Sequence, residues 1–153
     1  RFLLLDPEHA TIPTLLGMVR SFVFRHGIRG LVIDPWNRLD HTRAPGVMLT
    51  EHVRDHLGML SAFAKRKDIH ICLMAHPKKT ESDAASKPPT AYDISDSAHF
   101  FNMADNILVV HRDKGDDNAP VQILTQKIRR QRVGMLGTAL LRFDRLTGRY
   151  YDR

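Results

Sequence analysis

Two apolar runs of the sequence each end in a residue that could do chemistry. Asp34 follows residues 31–33, and His76 follows residues 71–75. A carboxylate can hold a hydrated Mg²⁺ that bridges nucleotide phosphates, and an imidazole can donate a hydrogen bond to a terminal phosphate. In open α/β sheets ligands bind beyond the carboxyl ends of the strands, so the pair predicts a phosphate site if both runs are parallel strands. Taken singly, each is an ordinary surface residue at the end of a strand.

A run of arginines near the carboxyl end could also bind phosphate. Residues 129–132 contain three arginines, and Gly134 and Gly137 follow them. The guanidinium group is a rigid, permanently charged fork that matches phosphate oxygens, and glycines let such a loop reach out of a sheet. A solvated basic turn explains the same residues equally well.

Basic residues are also concentrated in the segments that follow Asp34 and His76. On loops at one sheet edge they would form a surface that follows a phosphate backbone without reading its sequence, and salt would weaken the binding. Trp36 and Tyr92 lie near these segments and could stack on bases, although an isolated aromatic residue more often packs. The basic residues are Arg38, Arg43, Lys78, Lys79 and Lys87.

The composition is that of one basic globular domain. Of 153 residues, 23 are Lys or Arg and 17 are Asp or Glu, which gives a net charge of +6, and 42% are hydrophobic. These proportions exclude a disordered, collagen-like or coiled-coil chain, and no apolar run approaches the roughly 18 residues of a membrane span. Cys72 is the single cysteine, which excludes an internal disulfide and a multi-cysteine zinc site. We therefore expect one soluble, cytoplasmic domain over residues 1–153.

Three apolar segments in the first half of the chain are predicted to be strands. They are residues 2–5, 31–33 and 69–75. Residues 31–33 are expected to form a central parallel strand that is buried on both faces. Cys72, in the segment 69–75, is expected to be a buried thiol. The polar stretch 76–90 is expected to be a long mobile loop. The chain starts without an initiator methionine or a leader pattern, which predicts that it is part of a longer protein.

Helical periodicity occupies the segments between these strands. One amphipathic helix is expected between Thr11 and Gly27, and a second over residues 50–67 with Thr50 as its cap. A third, short helix is expected over residues 95–103. Strands that alternate with helices indicate a doubly wound α/β sheet.

The last third of the chain has the pattern of antiparallel strands. Turn residues at 113–118 and 145–148 separate apolar segments, as in hairpins. The predicted strands are residues 106–112, 121–128 and 138–144, with Tyr150 and Tyr151 following the last turn.

Several catalytic motifs are missing from the 153 residues. The chain contains no G-x-S-x-G, no G-x-G-x-x-G and no G-x-x-x-x-G-K-[ST] phosphate loop. His52 and His56 have the spacing of the zinc motif H-E-x-x-H, but Val53 stands where that motif needs its general-base glutamate. A metal-dependent hydrolase is therefore disfavoured.

Four segments, taken in order, carry a resemblance to a known family. They are residues 31–34, 73–76, 92–106 and 130–137. Together they resemble the carboxyl-terminal part of RecA-like hexameric replicative helicases of the DnaB group, especially phage-type and Twinkle-like primase-helicases. The resemblance covers nearly the whole chain. It implies a P-loop NTPase core with a mostly parallel sheet, helices on both faces and antiparallel carboxyl-terminal strands.

The resemblance also implies roles for the residues already singled out. Asp34 looks like the Walker B aspartate that acts on Mg²⁺, and His76 looks like the sensor of the γ-phosphate. The family's catalytic carboxylate follows the preceding strand, where Asp6 and Glu8 are both candidates. The arginine finger that reaches into a neighbouring subunit is expected at Arg132, with Arg130 beside it, where the family more often has lysine.

By the same resemblance, the cofactors are ATP or another NTP and Mg²⁺, and the basic loops hold single-stranded DNA in the channel of a hexameric ring. A primase fused upstream is a further expectation, as is association with the nucleoid. The family's phosphate loop and the strand that carries it precede the Walker B strand, so this chain is expected to lack the phosphate loop and its strand. It is therefore expected to bind ATP poorly and not to hydrolyse it alone. A RecA-like ATPase of recombination or repair and a non-catalytic nucleic-acid-binding module are the alternatives.

Overall fold

The computed structural model describes residues 2–8, 10–77, 87–94, 97–113, 115–116 and 118–152. It divides into two compact units, which we call the first unit, Arg1–His76, and the second unit, Pro77–Arg153. Most of the predicted loop 76–90 lies outside the described residues. No helix in the described ranges is long and apolar enough to cross a membrane.

The first helix, α1, spans Ile12–His26 and has the signals that its sequence predicts. The Thr11 side chain accepts a hydrogen bond from the backbone N–H of Thr14 at 3.2 Å, and proline occupies the first turn. Gly27 ends the helix in the left-handed conformation with φ 61°, which glycine adopts without strain. The buried face of α1 consists of Ile12, Leu15, Leu16 and Val19.

Two parallel strands form the sheet of the first unit. Strand β1, Gly30–Ile33, pairs with β2, His70–Leu73, and helix α2, Leu49–Lys67, connects them. This is the predicted strand–helix–strand unit. The cap predicted at Thr50 is wrong, because Met48 occupies the N-cap position and Thr50 lies inside the first turn.

The sheet of the first unit buries one face only. Leu31 and Ile33 are buried, whereas Val32 is exposed, so β1 is not covered on both faces as predicted. Cys72 is the register partner of Val32 and is exposed as well, so the predicted buried thiol is wrong. Both errors have one cause: a continuous apolar run indicates burial on both faces, but only the face of Leu31 and Ile33 is buried in the described part of this unit.

The predicted strand at residues 2–5 does not form. Phe2 and Leu4 are fully exposed and no strand is present in the described residues before α1. An extended segment becomes a strand only when a neighbour supplies hydrogen bonds and covers a face, and neither is present here.

A four-stranded antiparallel sheet, whose strands lie side by side in chain order, makes up most of the second unit. Three of its strands agree with the three predicted ones, and a fourth forms where Tyr150 and Tyr151 follow the predicted turn at 145–148. A short helix, α3, Ser97–Met103, precedes them, and short 3₁₀ turns lie at Ala91–Asp93 and Gln131–Val133. The strands are β3, Asn106–His111; β4, Val121–Ile128; β5, Gly137–Asp144; and β6, Arg149–Asp152.

The α/β class is therefore confirmed, with a smaller parallel part than expected. Among the described residues one strand pairing is parallel and three are antiparallel. The difference arises because the predicted strand at residues 2–5 is not formed and the hairpins of the second unit contribute more strands than β1 and β2.

Candidate functional site

Backbone hydrogen bonds extend the pairing of β1 and β2 beyond the ends of both strands. The N–H of Met74 donates to the carbonyl of Ile33 at 2.9 Å, and the N–H of Trp36 donates to the carbonyl of Met74 at 2.7 Å. Asp34 and His76 therefore follow neighbouring parallel strands at the same edge of the sheet. This placement was predicted, and it is the position where α/β proteins bind ligands.

Asn37 ties the two loops together at this edge. Its side-chain oxygen accepts a hydrogen bond from the backbone N–H of His76 at 3.0 Å. The side chains of Asp34 and His76 are both exposed and so can reach a ligand in solution. We call Asp34, Asn37 and His76 the phosphate edge. Asn37 was missed in the sequence because an asparagine in a loop has no distinctive spacing.

Behind the phosphate edge, Trp36 is buried in a cluster of histidine rings. Only 6% of Trp36 is exposed, so it packs inside the first unit and presents no face to a base. The His41 ring lies 4.6 Å from the Trp36 ring and its Nε2 is 3.0 Å from the Trp36 carbonyl oxygen. The His56 ring meets Trp36 edge-on at 6.4 Å. The 36–38 turn that presents Asn37 thus rests on this cluster.

His52 is the buried member of the cluster. Its ring lies 4.0 Å from that of His56 and 5.7 Å from that of His41, and its Nε2 is buried without a hydrogen-bond partner. Burial, and then the neighbouring His56 and His41, lower the pKa of His52. The neutral imidazole is the form that this site favours.

The pair His52 and His56 contributes to packing. His56 Nδ1 lies 2.7 Å from the backbone oxygen of His52, which engages that nitrogen within α2. No group of three or more His, Cys, Asp or Glu in the described part of the chain could hold a metal ion. The spacing that resembled a zinc motif is explained by the cluster around Trp36.

The candidate bases Asp6 and Glu8 are both exposed on the segment that leads into α1. This segment passes the loop after Asp34, because the N–H of Asp40 donates to the carbonyl of Ala10 at 3.0 Å. Neither carboxylate has a hydrogen bond or an ion pair with Asp34 in the described structure. The choice between Asp6 and Glu8 therefore stays open.

The basic residues predicted to hold nucleic acid lie in both units. Arg38 and Arg43 are exposed in the loop after Asp34, where Arg43 Nη1 lies 3.4 Å from the carbonyl oxygen of Val47. Lys87 is exposed in the second unit. Lys78 and Lys79 lie outside the described residues.

Residues 129–137, which we call the arginine loop, contain two kinds of arginine. Arg129 is fixed by its own chain: Nε pairs with the Asp105 carboxylate at 3.0 Å and Nη2 donates to the Asn102 carbonyl at 2.7 Å. Arg130 and Arg132 flank the start of the 131–133 turn and both are exposed. All three arginines are exposed, and among the described contacts of the loop Arg129 is held by side-chain bonds to its own chain.

Comparison with known proteins gives one family match over almost the whole chain. The family model described as DnaB-like helicase C terminal domain matches residues 1–152. The Twinkle homolog protein, chloroplastic/mitochondrial, of Arabidopsis thaliana is 42% identical over an alignment of 146 residues, which covers 93% of this chain and 20% of that protein. The chain thus spans about a fifth of the length of this curated relative.

Two solved structures share the fold. One, described as an ATPase domain, matches with a TM-score of 0.81 at 20% identity, over 97% of this chain and 53% of that one. A DnaB-like replicative helicase, solved to show its interactions with primase, matches with a TM-score of 0.78 at 19% identity, over 97% of this chain and 37% of that one. These matches show that the chain has the predicted RecA-like fold of helicase ATPase domains.

Proposed function

Because the chain belongs to the DnaB-like helicase C-terminal domain family, as its motifs predicted, we propose that it is the carboxyl-terminal part of the ATPase motor of a replicative DNA helicase. In this motor NTP hydrolysis at subunit interfaces drives movement along single-stranded DNA. The observation that carries the proposal is the phosphate edge, where Asn37 holds the loop of His76 beside that of Asp34. Such an arrangement suits a site that must detect one phosphate group.

The donor chemistry of the phosphate edge fits a nucleotide with Mg²⁺. The exposed carboxylate of Asp34 is a hard oxygen ligand, and the exposed imidazole of His76 can donate a hydrogen bond. When bound, Mg²⁺ neutralises charge on the β- and γ-phosphates. Asp34 would hold the ion, and His76 would contact the γ-phosphate from a backbone that Asn37 keeps in position.

A carboxylate and an arginine pair complete the proposed machinery. Asp6 or Glu8 would orient the attacking water as the general base. Arg132, with Arg130 beside it, would enter the nucleotide site of a neighbouring subunit in a ring, proposed to be a hexamer. Both guanidinium groups are exposed, which is what a group that acts on another subunit requires.

The remaining parts of the proposal concern DNA and its setting. The basic set Arg38, Arg43, Lys78, Lys79 and Lys87 would bind the phosphates of single-stranded DNA, with an affinity that falls as salt rises. One matching structure is described as a DnaB-like replicative helicase and its interactions with primase, and we propose that a primase, fused or separate, works with this motor. We propose that the protein acts with the DNA it replicates, in a nucleoid.

Substitution of the Walker B residue in the complete helicase tests the proposal. Asp34→Asn should abolish NTP hydrolysis and leave single-stranded DNA binding intact, as measured by phosphate release and fluorescence anisotropy. Asp68→Asn is the matched control: it removes an exposed carboxylate that pairs with Arg29 and has φ 50°, a conformation that asparagine tolerates. This variant should hydrolyse NTP like the wild type.

The outcomes separate the alternatives. If the protein is a non-catalytic nucleic-acid-binding module, the wild type itself will hydrolyse no NTP. If it is a recombination or repair ATPase, the wild type will hydrolyse NTP and will not unwind a forked duplex. Normal hydrolysis by Asp34→Asn would contradict the assignment of the site. The 153-residue chain alone, which contains no G-x-x-x-x-G-K-[ST] motif, should show no hydrolysis.

A further inference from the structure

Tyr92 is an exposed aromatic residue with one face already covered. Its ring stacks on that of Phe101 with 4.9 Å between centroids and 22° between planes. The residue is nevertheless 61% exposed, so the opposite face of the ring is open to solvent. Trp36, the other aromatic residue near the basic segments, is buried and differs in this respect. The structure thus distinguishes a packing aromatic from an available one.

The backbone that carries Tyr92 is held from two sides. The Gln126 amide accepts from the N–H of Ala91 at 2.9 Å and donates to the carbonyl of Pro89 at 2.8 Å, which fixes the 91–93 turn to β4. The carboxylate of Asp93 accepts hydrogen bonds from the backbone N–H and the hydroxyl of Thr90. The ring is therefore preorganised although it is not buried, which lowers the entropic cost of binding a partner.

Positive charge accompanies the aromatic stack. Lys127 Nζ lies 4.9 Å from the centroid of the Phe101 ring and also donates to the Phe101 carbonyl. Lys87 is exposed on the segment that leads into the 91–93 turn. An exposed ring accompanied by cations matches a ligand that has both flat bases and phosphates.

We propose that Tyr92 is a stacking platform for an unpaired base of single-stranded DNA, which adds a third ring to the stack of Phe101 and Tyr92. This inference rests on the proposed helicase function. Every base has a π-face, so a stacking contact tolerates any sequence, and a motor that moves along DNA needs contacts of this kind. The phosphates next to such a base would face the neighbouring lysines.

The test compares two strands in the complete helicase. The probes are fluorescently labelled oligothymidylate and an abasic strand of the same length, and the measurement is the dissociation constant by anisotropy. Tyr92→Ala should weaken binding of oligothymidylate by roughly 5- to 100-fold and leave binding of the abasic strand unchanged. Tyr92→Phe retains the ring and should bind both strands like the wild type.

Tyr150→Ala is the matched control. Tyr150 is 55% exposed and its ring also pairs with a phenylalanine, Phe143, at 5.0 Å, but it lies on β6. Its loss should change neither affinity. A result in which Tyr150→Ala weakens oligothymidylate binding as much as Tyr92→Ala would overturn the assignment.

Other results would also overturn the inference. If Tyr92→Ala weakened binding of both oligonucleotides equally, Tyr92 would contact phosphate or the variant would have lost its fold. If the variant changed the number of subunits in the assembled helicase and bound DNA normally, Tyr92 would form a subunit contact. The wild type alone gives a test free of folding effects, since equal affinity for the two strands contradicts base stacking. A wild type that binds neither strand contradicts the proposed function itself, whereas one that binds DNA and is indifferent to Tyr92 substitution contradicts this inference alone.

Discussion

The phosphate edge of the first unit and the arginine loop of the second place their chemistry in opposite ways. At the phosphate edge, backbone bonds from Trp36 and Met74 and the Asn37 amide hold both functional loops within one unit. In the arginine loop, the fixed residue is Arg129, and the two that carry the proposed chemistry are exposed. One region is organised by its own fold. The other, in the proposed motor, would be completed by a second molecule.

The largest expected effect lies in the arginine loop. Arg132→Ala in the complete helicase should reduce the hydrolysis rate by about 10³- to 10⁵-fold, because we propose that this side chain acts in a neighbour's nucleotide site. Thermal stability should not change, since the side chain is exposed. Mixing experiments sharpen the comparison. Rings formed from Arg132→Ala and Asp34→Asn subunits should regain part of the activity, since some interfaces then have both residues. No recovery in such mixtures would mean that Arg132 does not act across an interface.

A smaller effect is expected at the phosphate edge from Asn37→Ala. The substitution removes the hydrogen bond to the backbone of His76, which is worth about 0.5–1.5 kcal/mol, so kcat should fall by roughly 2- to 10-fold. DNA affinity should not change. Steady-state kinetics of Asn37→Ala, His76→Ala and the double variant provide the check, because Asn37 as a positioning residue should have no further effect once the imidazole is absent.

The histidine cluster predicts a pH dependence of stability. Burial lowers the pKa of His52 in the folded chain below its ordinary value of 6.5, with His56, His41 and Arg43 lowering it further and Asp55 opposing them. The unfolded chain therefore binds more protons in the window below 6.5, and the contribution of His52 to stability is complete above that pH and is lost as the pH falls.

Urea denaturation between about pH 5 and 8 measures this dependence, with the fluorescence of Trp36, the single tryptophan, as the signal. His52→Leu should flatten the profile below 6.5. His70→Gln, which changes an exposed histidine of β2, should leave the profile as in the wild type. If the free energy of unfolding fell equally steeply with decreasing pH in the wild type and in His52→Leu, the prediction would be contradicted.

The smallest effect is expected from Arg129→Ala. The ion pair with Asp105 is half-exposed, so its loss together with the bond to the Asn102 carbonyl should lower the free energy of unfolding by about 1 kcal/mol. Hydrolysis should change far less than in Arg132→Ala. Chemical denaturation and phosphate release should be measured on both variants. Although the two arginines are three residues apart, Arg129→Ala should lower stability and Arg132→Ala should lower turnover.

The sequence predicted the features that depend on local chemistry. Thr11 and Gly27 define α1 because capping is decided within a few residues. Asp34 and His76 lie at the same edge because a strand–helix–strand unit places both strand ends there. The strand predicted at residues 2–5 was wrong, since an apolar run does not indicate whether a neighbouring strand is there to pair with it. Asn37 and Gln126 were missed because their partners lie 39 and 35 residues away.

The bond network of Gln126 has a mechanical consequence. Its amide hydrogen-bonds to the backbone of Ala91 and Pro89 and so holds the 91–93 turn. Its own backbone belongs to β4, whose last residue, Ile128, directly precedes the arginine loop. A force on the side chain of Tyr92 would therefore act on β4, the strand that ends directly before the arginines. If a DNA base pulled on that ring as proposed, the force would reach the arginine loop through Lys127 and Ile128, the two residues of β4 that follow Gln126.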